Sequence, residues 1–158
     1  MTKNEIVSML TKILDSMGID NWIVDLKSKA KRSSNANAYS WVLQEKIANE
    51  LKKSKEDIHL QMLTDYGQTA TDENGNKILF SVESKINPRT FYKYIAEIGH
   101  GHVGEKEFTH YRALKGSSDF DQHEMSIFLD GVIQEAEQLG IETITPAEQE
   151  KMIQLWGK

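Results

Sequence analysis

The 158-residue chain contains no cysteine, which excludes disulfides, thiolate metal sites and thiol nucleophiles together and suits a reducing compartment. Its two prolines, Pro88 and Pro146, both stand where a helix can begin. No stretch approaches the ~20 consecutive apolar residues that span a bilayer. The opening "MTKNEIVSMLTKILDSMG" lacks both the unbroken apolar core and the small-residue cleavage site of a signal peptide. A cytoplasmic protein with no membrane association is the expectation. Internal repeats and low-complexity linkers are missing too. So are a phosphate-cradling glycine loop, a nucleophile elbow and a dinucleotide fingerprint, and neither a cofactor nor a bound metal is expected.

What is present describes an ordinary globular protein, 39% hydrophobic and 27% charged. Its length predicts one domain over residues 1–158, large enough to bury a core of its own. The net charge of −5 conceals two unlike parts. Residues 1–115 hold 17 Lys/Arg and 15 Asp/Glu, whereas residues 116–158 hold 2 and 9, with no Lys or Arg from Gly116 to Glu150. Residues 27–55 carry eight basic groups against Glu45 and Glu50. A polyanion is drawn to that region and repelled by the acidic end, so a nucleic-acid site here is local and salt-sensitive.

Thr2 and Glu5 stand at capping-box spacing before a stripe of Ile6, Met9, Leu10, Ile13, Leu14 and Met17 that ends at Gly18, predicting a first helix with a core-facing side. "NWIVDLKSK" alternates as a strand. A second helix is expected from about Asn35 to Lys52, with Leu43, Ile47 and Leu51 on one side and Trp41 on another, so that it is either sandwiched or turns one face to a partner subunit. "SKEDIHLQMLTDYG" predicts a third, short helix, and Asn74-Gly75 a hairpin turn into a strand from Ile78 to Val82. Pro88 is expected to open a helix bearing Phe91, Tyr94, Ile95 and Ile98, followed by "GHGHVG" as a loop and "KEFTHYRALKG" as a strand. Asp121 with Glu124, and Thr145 with Pro146 and Glu148, mark the starts of two final helices. Helices flanking a few non-adjacent strands give the class α+β, with about five or six helices around a small sheet.

The basic segment makes the best chemical case. Lys27, Lys29, Lys31 and Arg32 fall within six residues and are followed by Ser33 and Ser34. If a helix begins near Asn35, its free amides and the positive end of its dipole meet those cations, making an anion site ready for phosphate. Tyr39 and Trp41 lie one to two turns on, where rings meet unpaired bases or simply pack. Two other classes stay open. Asp119, Asp121 and Asp130 supply hard oxygen ligands for a metal-dependent nuclease of recombination intermediates, and the acidic helix 121–139 suits an adaptor for a basic protein. His100 and His102 lack the spacing of a zinc site.

The stretch "RSSNANAYSW", with Arg32, Ser33, Asn37 and Trp41, resembles the signature of the NinB (lambda Orf-like) family of phage recombination proteins. A second echo is "KGSSDFDQHEMSIFLDGVIQEAEQLGIE" together with the tryptophan-bearing tail, in the right order along residues 20–156. The resemblance implies a non-catalytic homodimer that binds single-stranded DNA without strong sequence preference, alongside a host single-strand-binding protein or a phage recombinase. It assigns Arg32, Ser33, Asn37 and Trp41 to DNA binding or to holding the fold. Arg112 and Lys115, which border the second echo, are expected as further DNA contacts.

Overall fold

A computed structural model of the chain describes residues 2–16 and 35–157. Two compact units emerge, Met1–Asn35 and Ala36–Lys158. In the first, α1 (Lys3–Ser16) begins with a closed capping box: the Thr2 amide donates to Glu5 Oε2 and the Glu5 amide to Thr2 Oγ1, both at 3.2 Å. Its stripe departs from the expected burial, since Ile6, Met9, Leu10 and Ile13 are 40–47% exposed. Met17, Gly18 and the expected strand "NWIVDLKSK" lie outside the described residues.

The second unit is α+β. Its helices are α2 (Ala36–Leu51), α3 (Lys55–Tyr66), α4 (Gln122–Gln138) and α5 (Pro146–Leu155); its strands are β1 (Leu79–Glu83), β2 (Ile95–Val103) and β3 (Lys106–Ala113). The sheet is antiparallel in the order β1-β3-β2. The starts of α3, α4 and α5 follow from a side-chain oxygen held over free amides. Ser54 Oγ accepts from the Asp57 amide at 3.1 Å, Thr145 Oγ1 from that of Glu148 at 3.2 Å, and Asp121 with Glu124 completes a capping box.

As expected for a helix with two apolar sides, α2 packs on both α3 and α4. Leu43 and Ile47 meet Ile58, Met62 and Leu63 of α3 and Met125, Phe128, Leu129 and Val132 of α4 in one core cluster. Burying side chains of this size stabilises the fold by roughly 1.5–3 kcal/mol each. Leu51, at the helix end, is exposed instead. Lys52 closes α2 with a positive φ of 55°, and the Lys53 amide then reaches the Ala48 carbonyl at 3.0 Å. Tyr66 lies flat against α4 at Gly131, where a Cβ would strike its ring. One turn on, Glu135 Oε1 accepts from the Tyr66 hydroxyl at 2.5 Å, and this bond above all, with burial, pushes the phenol up to about 12.

Two sequence expectations are corrected in the sheet. Pro88 opens only a single 3-10 turn, Pro88–Thr90, although Asn87 caps it as a helix start would be capped. Ile95 and Ile98, expected on that helix, lie on β2 together with most of "GHGHVG", paired to β3 from Ile95↔Ala113 to Val103↔Lys106. The ladder wins because it buries Ile95 and Ala96 and pairs the backbone groups that β2 and β3 turn toward each other. The His110 ring lies beside Gly99 and Gly101, and a bulge between Glu97 and Gly99 turns Ile98 outward. The Asn74-Gly75 turn forms, held by Asp72 Oδ1 accepting from the Asn74 and Asn76 amides. It closes only an isolated Thr71↔Lys77 bridge, because the long-range partner of β1 is β3.

Candidate nucleic-acid interface

The first turn of α2 positions the cleft of interest. Asn37 and Trp41 are four residues apart and so share one side of the helix. Ser117 Oγ, at the start of the 3-10 turn Ser117–Asp119, donates to Asn37 Oδ1 at 2.7 Å. The two echoes noted in the sequence, eighty residues apart, are thereby joined. Around this bond Trp41, His59, Lys93, Tyr94, Ser118 and Asp119 line an open cleft of about 320 Å³.

His59 forms the cleft floor and is 2% exposed. Its tautomer follows from a chain of donors. Ser40 Oγ gives its one proton to the Asn37 carbonyl oxygen at 2.7 Å, so it accepts from Gln44 Nε2 at 3.3 Å. That fixes the amide with Oε1 toward His59, 2.7 Å from Nδ1. Nδ1 therefore carries the proton, and Nε2, directed away from Gln44, keeps a lone pair that meets no donor among the described residues. Burial first, and the Lys93 ammonium second, lower the imidazole to about 4, so it is neutral at pH 7. Trp41 stacks on this neutral ring with centroids 3.8 Å apart and planes at 23°. Tyr94 and Phe128 meet the same ring edge-on.

Cations border both aromatics of the cleft: Lys55 Nζ stands 5.3 Å from the Trp41 ring centre and Lys93 Nζ 5.1 Å from that of Tyr94. Stacking rings with ammonium groups beside them are what hold a base next to a phosphate, while the Asp119 carboxylate disfavours a phosphate on its own side of the cleft. Comparison with family models, curated proteins and solved structures returns no match for this chain.

The other expected site residues are distributed as follows. Lys27, Lys29, Lys31, Arg32 and Ser33 lie outside the described residues. Arg112 donates to Thr69 Oγ1 at 3.0 Å and to the Thr64 carbonyl at 2.9 Å, so its guanidinium ties the end of α3 to β3. Lys115 Nζ donates to Glu124 Oε1 at 2.8 Å and holds the start of α4. Tyr39 packs against the core, its hydroxyl accepting from the Ile144 amide at 3.0 Å. Asp121 is a helix cap, and Asp130 accepts from Gln134 and Gln149. Among the described residues, no three His, Asp or Glu side chains gather to hold a metal ion.

The sequence reading missed His59, Lys93 and Tyr94 as cleft residues and Lys55 as the cation over Trp41. For His59 there was one signal, a polar residue beside Ile58 and Met62 on the buried side of α3. No helix among the described residues is long and apolar enough to cross a membrane.

Proposed function

We propose that this protein binds single-stranded DNA without sequence preference, as an accessory protein of phage recombination in the host cytoplasm. The observation supporting it is the Asn37–Ser117 hydrogen bond, which draws the two NinB-like segments together at one cleft lined by Trp41, Tyr94 and Lys93, with Lys55 over the Trp41 ring. In this reading Lys27, Lys29, Lys31 and Arg32 neutralise backbone phosphates, and a base stacks at Trp41, displacing the flexible Lys55 chain toward the neighbouring phosphate. A homodimer acts beside a host single-strand-binding protein or a phage recombinase.

The test is fluorescence anisotropy with labelled single-stranded oligonucleotides in the absence of Mg²⁺. Log affinity is expected to fall with log salt by roughly 0.7 per phosphate neutralised. Removing charge at Lys29, Lys31 and Arg32 weakens binding to every sequence alike, and Trp41→Ala weakens it by roughly 1–3 kcal/mol. Affinity indifferent to both salt and these substitutions, or no binding at low salt, refutes the proposal.

A further inference from the structure

One face of the sheet carries a second aromatic group that the cleft does not use. Phe80 of β1 stands opposite Tyr111 of β3, with rings stacked at 5.6 Å. The chain leaving the 3-10 turn lays Tyr92 at 5.0 Å and Phe91 at 6.3 Å from the same Phe80 ring. Phe80 thus sits at the centre of four rings, of which Phe91 remains 56% exposed and Tyr92 38%. Rings this open contribute only part of their area to packing, and leaving them in water is unfavourable. The segment that carries three of these rings is basic: between residues 77 and 94 stand Lys77, Lys85, Arg89 and Lys93 against a single acid, Glu83, which pairs with Lys85 at 3.4 Å. On the far side of Tyr111, β2 presents Glu97, which is bonded to His100 at 3.1 Å.

Continuity decides what this surface fits. Phe91 and Tyr92 belong to the aromatic group, while the next two residues, Lys93 and Tyr94, line the cleft. Four consecutive residues therefore connect the two. A protein partner would match the apolar rings alone; open rings adjoining a cation on one continuous segment match bases beside phosphates. At Trp41 one ring face is already occupied by His59, whereas Phe91 and Tyr92 have open ring surface.

We infer that the Phe80–Phe91–Tyr92–Tyr111 surface is a stacking platform for unpaired nucleotides, continuing the path of a single DNA strand from the cleft through Lys93 onto the sheet. This rests on the single-strand-binding reading and adds the path. Its test uses the full chain and a labelled oligothymidine, with Phe91→Ala and Tyr92→Ala singly and together. About fivefold weaker binding or more is expected for each ring removed, while Phe91→Tyr and Tyr92→Phe retain affinity. On the unsubstituted chain, photo-crosslinking with bromodeoxyuridine oligonucleotides is expected to label the segment 80–111 aromatics, which keeps the test independent of how the variants fold. Wild-type affinity in the double variant, or crosslinks confined to other segments, overturns the platform while salt-dependent binding leaves the DNA function standing. A double variant that binds DNA normally but sediments differently makes the surface a contact between copies and also overturns it. Absence of binding by the unsubstituted chain removes both readings.

Discussion

Acidification should reveal His59. In the folded chain this imidazole is held neutral down to about pH 4, whereas in the unfolded chain it takes up a proton near 6.5. Between those values the unfolded state binds more protons, so stability falls as pH falls. The contribution is fully present above pH 6.5, declines by up to about 1.4 kcal/mol per pH unit, and has lost about 3 kcal/mol once pH passes below 4. A small domain has only about 5–15 kcal/mol in total, so the loss is easily measured. Carboxylates titrate over the same interval, and a difference measurement removes them. His59→Asn places an amide nitrogen where Nδ1 donates to Gln44 and removes the titrating group. The variant is expected to be less stable at every pH, having lost the stack with Trp41, yet its urea midpoint should fall less steeply from pH 6.5 to 4.5 than that of the unsubstituted chain. Equal slopes refute the argument. So do His59 ring resonances that titrate near 6.5.

Lys52→Gly is expected to raise stability by about 1 kcal/mol, since glycine takes the left-handed conformation at the end of α2 without a Cβ penalty; a higher urea midpoint at unchanged slope checks it. Gly131→Ala should destabilise by about 1–3 kcal/mol despite alanine's better helix propensity, because the new methyl collides with the Tyr66 ring; a raised thermal midpoint contradicts that packing.

What was legible in the sequence was mostly local. The capping boxes at Thr2 and Asp121 and the cap at Thr145 formed as expected because each involves groups three residues apart. The α4 side bearing Met125, Phe128, Leu129, Val132 and Ala136 repeats at helical period and is buried, whereas Leu139 at its end is exposed. β2 was misread for a related reason. Phe91, Tyr94, Ile95 and Ile98 mimic that period, while the pairing that overrides it comes from β3, whose residues adjoin β2 only through a hairpin. The cleft was half legible. Asn37 and Trp41 were marked by the family resemblance, but His59 and Lys93 reach them through tertiary packing that no local pattern encodes. Ser117 likewise meets Asn37 across eighty residues of sequence, a contact that belongs to the same tertiary packing.

The bulge at Glu97–Gly99 has a consequence for association. β2 forms one border of the described sheet, and an unpaired border is a template on which foreign strands add, the first step toward fibrils. By throwing Ile98 out of register midway, the irregularity interrupts the row of outward amides and carbonyls, so an intruding segment gains a grip on only part of the strand.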